Sequence, residues 1–212
     1  MKIETLKENN MNVYVSFMNA SIFEYKKLYQ QTYDSLPEIR KNKVDQYKNE
    51  KDKILSVMSW YLLKEGLLEL GTTISKYELC VKEDGKPYLK NCPYEFSISH
   101  SGEYACVAIS LSPVGVDIQE QRPFDEKLVD FISNDAEKKI YKLALDKTDA
   151  FYKTWCIKES YIKLTGEGLK KPLKEVEVNS KNYVHKYYNG IKGYSLAVSS
   201  FTNKNFIFKE QF

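Results

Sequence analysis

Two apolar strand candidates that begin with tyrosine constrain the fold of this 212-residue chain most strongly. They are Tyr104–Leu111 and Tyr194–Ser199, both rich in Ala, Val, Ile, Leu and Ser. A helix with apolar residues three and four apart is predicted before each strand, at about 51–69 and about 150–164. This repeated order indicates an α+β fold of two related halves joined near Pro113. We therefore predict an N-terminal lobe at 1–112, a C-terminal lobe at 113–212, and a ligand cleft between them.

The other elements are predicted from caps, turns and alternation. Ser35–Glu38 matches a capping box that would open a helix to about Tyr47. Pro113 breaks the chain, and a hairpin is predicted to join Tyr104–Leu111 to Gly115–Gln119. Asn134–Glu137 is a second capping pattern, for a helix to about Leu145, and Asp149 is expected to cap the helix that stops at Gly166. Further strands are predicted at 11–18, 77–81, 95–99, 183–188 and 206–209.

Composition excludes several classes of protein. A net charge of +3 is too small for a general nucleic-acid binder. The four cysteines form no CxxC pair, so neither a zinc site nor a disulfide framework is predicted. The first residues lack the apolar segment of a signal peptide, and no apolar run is long enough to span a bilayer. We therefore expect a soluble, cytoplasmic protein that uses no membrane and no nucleic acid.

The segment Gly115–Gln119 alternates apolar and polar residues. In a strand, Val116 and Ile118 would enter the core, and Asp117 and Gln119 would share the opposite face. Two oxygen donors on one face suit a hard cation such as Mg²⁺. An edge strand with a solvated polar face explains the same pattern, so both interpretations stay open.

The segment Trp155–Lys163 places Trp155, Glu159 and Lys163 on one helix face, because each is four residues from the next. A surface ion pair between Glu159 and Lys163 is the simpler interpretation. Trp155 on that face favours partial burial, as a metal and phosphate site would require. Upstream, Phe96–Gly102 contains Ser99 and His100 in a turn whose donors could surround an anion. A serine-hydrolase interpretation fails here because no GxSxG motif is present.

These segments, in this order, resemble the 4'-phosphopantetheinyl transferases of the larger, surfactin-type class. The motifs that carry the resemblance are Gly85–Tyr88, Ser97–Ser101, Gly115–Asp117 and Trp155–Lys163. The resemblance covers most of the chain and implies a pseudo-twofold fold of two similar α/β lobes, with antiparallel sheets packed on helices. It also implies a monomer that moves the phosphopantetheine arm of coenzyme A onto a serine of an acyl or peptidyl carrier protein, with Mg²⁺ as cofactor and 3',5'-ADP as product.

The resemblance also implies roles for individual residues. Asp117, Gln119 and Glu159 correspond to metal ligands, Glu159 to the general base, and Lys163 to a phosphate-binding and catalytic group. The residues implied to contact coenzyme A are Arg40, Lys43, Lys53, Ser56, Lys86, Ser99, His100 and Lys163. Gln119 departs from the Glu that many relatives carry, which lowers the negative charge offered to a metal.

Two alternatives remain besides the transferase. A coenzyme A or carrier-protein binding module that has lost turnover would be compatible with Gln119. Another magnesium-dependent phosphotransferase would be expected to carry a GxxxxGK[ST] loop or kinase motifs, and this chain has neither.

Overall fold

The computed structural model describes residues 12–20, 26–168, 172–177, 183–201 and 205–211. Within these ranges the α-helices are α1 (Lys26–Asp34), α2 (Glu38–Asp45), α3 (Glu50–Glu69), α4 (Lys127–Ile132), α5 (Asp135–Leu143) and α6 (Lys147–Thr165). The strands are β1 (Asn12–Asn19), β2 (Glu78–Val81), β3 (Pro87–Lys90), β4 (Glu95–Ser101), β5 (Tyr104–Ser110), β6 (Val114–Glu120), β7 (Val184–Tyr188), β8 (Tyr194–Ser200) and β9 (Asn205–Glu210). Short 3-10 turns occupy Ile74–Lys76 and Leu173–Glu175.

Two strand triplets with the same connectivity form the centre of the molecule. In one, β5 lies between β4 and β1; in the other, β8 lies between β7 and β6, and all four pairings are antiparallel. The long helix α3 packs on the first triplet, and α6 packs on the second. The predicted α+β fold of two similar lobes is therefore confirmed, and the repeated helix and strand of the sequence occupy matching places. The two leading tyrosines, Tyr104 and Tyr194, meet with ring centroids 4.8 Å apart.

The connections between the lobes differ from the sequence prediction in two places. The hairpin predicted at Pro113 is wrong, because β6 pairs with β8 and not with β5. The chain instead leaves one sheet at Pro113 and enters the other. The last strand, β9, returns to the first sheet and pairs parallel with β1. The sheet of the N-terminal half thus contains a strand from the end of the chain, which the proposed division at residue 113 assigns to the other lobe.

Two predicted helix starts are also wrong. No side-chain cap opens α2, whose N-cap is Pro37, and the hydroxyl of Ser35 donates to the carbonyl of Thr32 instead. The N-cap of α6 is Asp146, which accepts from the backbone N–H of Asp149. The capping box at Asn134 is confirmed by both of its hydrogen bonds. Helices α1 and α4 and strand β3 were not predicted, and Met11 of the predicted first strand lies outside the described residues.

The apolar core follows the alternation of the strands. On β5, Val107 and Ile109 face α3, while Cys106 and Ala108 face the second sheet. On β6, Val116 and Ile118 are fully buried in that same layer between the sheets. The two lobes therefore share one apolar interior, which fixes the relative positions of polar residues at their junction. Among the described helices, none is both long and apolar enough to cross a membrane.

A row of serines joins the two sheets beside that interior. The hydroxyls of Ser97, Ser99 and Ser101 on β4 accept from the backbone N–H groups of Val116, Ile118 and Glu120 at 3.1, 3.4 and 3.1 Å. These serines are two residues apart, so they point to one side of their strand. Side-chain hydroxyls thus satisfy the outer edge of β6, where a strand partner would otherwise be needed. The junction brings the β4 serines within reach of the polar face of β6.

Candidate active site

The polar face of β6 lies at the junction between the lobes. Val116 and Ile118 enter the core, as predicted, and Asp117 and Gln119 project to the other side. The side chain of Asp117 is only 3% exposed. A carboxylate buried to this degree requires a cation or several hydrogen-bond donors. The solvated edge strand considered from the sequence is therefore excluded for Asp117.

Helix α6 passes close to this strand because Gly115 has no side chain. A Cβ atom at Gly115 would overlap the carbonyl oxygen of Ser160 and would lie 2.5 Å from the backbone nitrogen of Leu164. The backbones of β6 and α6 are therefore in direct contact. This contact places Glu159 and Lys163 of α6 beside Asp117. The helix ends directly afterwards at Gly166, which adopts φ 72°.

A cavity of about 490 Å³ opens at this point between the lobes. Most residues that the sequence predicts for the site line it, namely Arg40, Lys43, Lys86, Ser99, His100, Asp117, Gln119, Glu159 and Lys163. Lys53 and Ser56 are not among the lining residues. Ser56 is fully buried in α3, where its hydroxyl accepts from Arg40 at 3.0 Å. Its contact with the site therefore passes through Arg40.

Asp117 and Lys163 form the closest ion pair of the cavity. The Nζ atom of Lys163 lies 2.7 Å from Oδ1 of Asp117 and 2.8 Å from the hydroxyl of Ser99. Ser99 itself donates to the same Oδ1 atom at 2.8 Å. Burial lowers the pKa of Lys163, but the carboxylate of Asp117 outweighs it, so the pKa is raised. Lys163 thus pairs with Asp117 of β6, and not with Glu159 along its own helix.

Gln119 binds Asp117 through its amide nitrogen. Its Nε2 atom donates to Oδ2 of Asp117 at 3.2 Å, and its carbonyl oxygen accepts from the hydroxyl of Ser101 at 3.3 Å. The amide thus serves as a donor where a glutamate could only accept. In this arrangement the carbonyl oxygen of Gln119 is turned toward Ser101 and away from Asp117.

The side chain of Glu159 makes no hydrogen bond or ion pair with another residue in the part of the chain that the structure describes. Burial raises the pKa of Glu159, the negative charge of Asp117 raises it further, and Lys163 partly opposes the shift. Two carboxylates therefore line one cavity together with the ammonium of Lys163, which pairs with Asp117. A group with a raised pKa in a cleft is a candidate proton acceptor.

The other end of the cavity is basic. Arg40 is only 7% exposed, yet its guanidinium donates to the carbonyl and hydroxyl of Ser56 and to no carboxylate among the described residues. Burial lowers the pKa of Arg40, and burial together with Arg40 lowers the pKa of Lys43. Lys86 also has a pKa lowered by burial, and its ammonium donates to the carbonyls of Val114 and Lys163. This excess of positive charge, of which Arg40 is buried, favours binding of an anion.

Two protein-family models match adjoining segments of the sequence. Residues 25–112 match "4'-phosphopantetheinyl transferase, N-terminal", and residues 113–205 match "4'-phosphopantetheinyl transferase superfamily". The chain belongs to the 4'-phosphopantetheinyl transferase superfamily.

Curated relatives carry the same family name. A "4'-phosphopantetheinyl transferase" of Bacillus subtilis is 37% identical over 108 residues, which are 50% of this chain and 48% of that protein. The "4'-phosphopantetheinyl transferase Sfp" of Bacillus subtilis strain 168 is 34% identical over 107 residues, 49% of this chain and 48% of that one. The "4'-phosphopantetheinyl transferase gsp" of Aneurinibacillus migulanus is 33% identical over 130 residues, 60% and 54%. The chain spans about half the length of these relatives.

A solved structure, that of Thermotoga maritima holo-[acyl-carrier-protein] synthase, aligns over 41% of this chain and 61% of that chain, with 18% identity and a TM-score of 0.36. The family assignment therefore rests on the sequence matches.

This member of the superfamily carries a second lysine beside Glu159 that does not reach the cavity. Lys158 is fully buried, and its ammonium donates to Glu137 and to the carbonyls of Ile132 and Leu173. Successive residues of a helix are about 100° apart around its axis, so Lys158 and Glu159 face different sides of α6. The motif lysine is thus a packing and ion-pairing residue.

The fit of a divalent cation can be examined from the donors present. In the described ranges, no group of three or more His, Cys, Asp or Glu side chains could hold a metal. The carboxylates of Asp117 and Glu159 and the amide of Gln119 nevertheless converge on one cavity. Oxygen donors of this kind fit Mg²⁺, which keeps several waters and binds through one or two carboxylates. Gln119 would have to turn its carbonyl oxygen toward Asp117 to contribute.

Several lining residues were missed by the sequence analysis. Tyr47 follows the end of α2, and its ring lies edge-on to His100 with centroids 6.4 Å apart. No sequence signal could have placed it, because its contact depends on how α2 packs. Ser97, which also lines the cavity, and Ser101, which donates to Gln119, were quoted only as parts of a motif. The alternation of Ser97, Ser99 and Ser101 is a signal that could have indicated their common face.

Proposed function

We propose that this protein transfers the 4'-phosphopantetheine group of coenzyme A to a serine of an acyl or peptidyl carrier protein and releases 3',5'-ADP. The observation that carries the proposal is one cavity that joins Asp117 and Glu159 to a basic wall containing Arg40, Lys43 and Lys86. Coenzyme A has a pyrophosphate and a separate 3'-phosphate, and such a ligand needs both a metal site and additional cations. Membership of the superfamily supports the same reaction.

The basic wall would hold the phosphates of coenzyme A. A buried guanidinium that has no carboxylate partner costs free energy. An anionic ligand that pairs with Arg40 would lower that cost. We assign the 3'-phosphate to Arg40 and Lys43 and the pyrophosphate to Lys86, Ser99 and Lys163. The pKa of His100 is lowered by burial and by Lys163 and Arg40. A neutral His100 can donate one hydrogen bond to a phosphate oxygen.

Asp117 and Glu159 would hold a divalent cation, with Gln119 as a third oxygen donor. When bound, Mg²⁺ neutralises the charge that builds up on the phosphate oxygens during transfer. The described residues contribute to this site by placing two carboxylates together, although their charges repel each other. Burial raises the pKa of Glu159, and the negative charge of Asp117 raises it further.

Residues of this chain can accept the proton of the attacking serine and stabilise the negative charge of the leaving group. The hydroxyl of the carrier serine attacks the phosphorus next to pantetheine, and the P–O bond to 3',5'-ADP breaks. Glu159 accepts the serine proton, directly or through a water, and its raised pKa makes it a stronger base than an ordinary glutamate. Lys163 stabilises the negative charge of the leaving group.

A second cavity of about 640 Å³ would receive the acceptor side of the reaction. It shares Tyr47, His100 and Gln119 with the first cavity, so the two meet at Gln119, the hydrogen-bond partner of Asp117. Its far wall is aromatic, with the stacked pair Phe124 and Phe151 beside Trp155. An apolar wall in the cavity that adjoins the phosphate site suits the pantetheine chain and the loop that bears the serine. Because both lobes of one chain line these cavities, we also propose that the protein acts as a monomer, in the cytoplasm.

The proposal is tested by the intact mass of a purified apo carrier protein after incubation with this protein, coenzyme A and Mg²⁺. We expect a gain of about 340 Da, the mass of one phosphopantetheinyl group. EDTA and Glu159→Ala should abolish the gain. Glu175→Ala is the matched control, because Glu175 is exposed and lies outside both cavities.

The same experiment separates the transferase from a binding module that has lost turnover, the alternative that Gln119 motivates. Calorimetry would show coenzyme A binding in either case. Binding without any mass gain, tested with fatty-acid, polyketide and peptidyl carriers, would exclude the transferase and favour the binding module.

A further inference from the structure

Lys163 occupies the position next to Asp117 that a divalent cation would need. Its ammonium lies 2.7 Å from Oδ1, and the Asp117 side chain is only 3% exposed. We propose that Lys163 is the counter-cation of Asp117 in the ligand-free protein, and that a divalent cation reaches Asp117 fully only after a pyrophosphate has drawn the ammonium away. This inference rests on the proposed function and adds an order of events to it.

The hydrogen bonds of Asp117 leave little room for another cation. Oδ1 accepts from Lys163 and Ser99, and Oδ2 accepts from Gln119. A divalent cation that binds through both oxygens would have to displace a donor, because three of the roughly four lone-pair sites of the carboxylate are occupied. It would also stand within a few ångströms of the ammonium, where like charges repel strongly in a partly buried site. The negative charge of Asp117 is therefore already balanced by Lys163 in the ligand-free site.

The ammonium of Lys163 can move from Asp117 to a phosphate in the same cavity. Its side chain is 29% exposed, in contrast to Asp117, and lines the cavity that also contains Arg40 and Lys86. The backbone is held in place, because Lys86 donates to the carbonyl of Lys163. A lysine stem has four rotatable carbons, so the ammonium can turn toward a phosphate while the helix stays fixed.

The exchange has a thermodynamic consequence. A pyrophosphate that pairs with Lys163 lowers the repulsion felt by the metal, so each ligand increases the affinity for the other. Removing the positive charge of Lys163 should remove part of this dependence. The variant should then bind a divalent cation without any nucleotide.

The test is a titration of the full-length protein with Mn²⁺, followed by electron paramagnetic resonance, without coenzyme A and without a carrier. We expect Lys163→Met to bind Mn²⁺ about tenfold more tightly than the wild type, a size typical of coupling between sites. Lys43→Met is the matched control. It removes the same charge from the same cavity, but no ion pair joins Lys43 to Asp117 in the described structure. Its Mn²⁺ affinity should change less than about threefold, because only distant repulsion is lost.

Two results would overturn the inference: an unchanged or weaker Mn²⁺ affinity of Lys163→Met, or equal gains in both variants. Circular dichroism verifies folding. If Lys163→Met does not fold, Lys163→Gln replaces it, since the amide retains a donor for Asp117 without the charge. The mass assay keeps the two proposals separate. If the wild type modifies a carrier but Lys163→Met binds Mn²⁺ no more tightly, only this inference is contradicted. If Lys163→Met binds Mn²⁺ more tightly but the wild type transfers nothing to any carrier, only the proposed function is contradicted.

Discussion

The ammonium of Lys158 lies 2.7 Å from the carboxylate of Glu137, and the two side chains are 0% and 8% exposed. Glu137 also accepts from the backbone N–H of Asn134, which closes the capping box of α5. Lys158 further binds the last residue of α4 through the carbonyl of Ile132. One buried ion pair thus connects helix α6 to the ends of two shorter helices. Helix α4 borders the second cavity, where its Leu128 is part of the wall.

Lys158→Met should destabilise the protein without removing a phosphate ligand. Loss of one partner of a buried pair leaves an uncompensated charge and costs about 3–5 kcal/mol. The double variant Lys158→Met/Glu137→Gln should recover part of this loss, because the second change removes the remaining charge. Chemical denaturation measures both. Lys139→Met, on the exposed face of α5, is the control and should change the free energy of unfolding little. A double variant no more stable than Lys158→Met would contradict the ion-pair explanation.

Gly115→Ala should be strongly destabilising, because the new methyl group would meet backbone atoms of α6 that cannot rotate away. We expect a loss of about 3 kcal/mol, at the upper end of the overpacking range. Gly168→Ala separates packing from backbone strain. Gly168 has φ 62°, and a methyl group added there would have nothing within 4 Å, so only the conformational cost of about 1 kcal/mol applies. Equal losses in thermal denaturation would show that close helix–strand contact is not the reason for this glycine.

Gln119→Glu should tighten metal binding. The amide now donates to Asp117, whereas a carboxylate would repel Asp117 until a cation is present. We expect Mn²⁺ affinity to rise about tenfold, equivalent to about 1.4 kcal/mol. Gln121→Glu is the matched control, since Gln121 also donates to an aspartate, Asp149, but outside the candidate site. An unchanged or higher Mg²⁺ requirement of Gln119→Glu would refute the role of Gln119 as a ligand.

Glu159→Gln should abolish transfer and yet stabilise the ligand-free protein near neutral pH. The pKa of Glu159 is raised by burial and by Asp117, so its ionised form is disfavoured in the folded state. Its contribution to stability is present below the unfolded-state pKa and is lost as the pH rises through the folded-state pKa. The gain in Tm of the variant should therefore disappear as the pH falls toward the ordinary range of glutamate. A Tm below that of wild type near neutral pH would show that Glu159 is not under strain.

The same raised pKa predicts how the transfer rate depends on pH. If Glu159 accepts the serine proton, kcat should fall as the pH decreases through its pKa. A stopped mass assay over a pH series measures the profile. A flat acidic limb would assign proton transfer to another group.

Arg40→Met should weaken binding of 3',5'-ADP and leave kcat nearly unchanged. Hydrogen bonds from a charged donor contribute about 1.5–3 kcal/mol, which corresponds to a loss of about 10- to 100-fold. Calorimetry measures this affinity. Lys53→Met is the informative control, because the sequence assigned Lys53 to coenzyme A but the structure leaves it outside the cavity lining. A large effect of Lys53→Met would restore the sequence assignment.

Local spacing in the sequence was sufficient to predict the faces of the main elements. The period of two put Val116 and Ile118 in the core and Asp117 and Gln119 on one side, and the period of four put Glu159 and Lys163 together. These periods follow from backbone geometry, which neighbouring residues determine. The two-lobed fold and the family followed from the order of such segments.

Tertiary structure alone decided which partners those side chains meet. From the sequence, Lys163 could pair with Glu159 on its own helix, but in the structure Lys163 binds Asp117. Lys158, next to Glu159 in the chain, binds Glu137 of another helix. The break at Pro113 was compatible with a hairpin, but β6 joined the other sheet. Likewise, β9 crosses back to β1. Spacing fixes the direction of a side chain within its own element, whereas its partner depends on how two distant elements pack, and that is decided by the burial of the shared core.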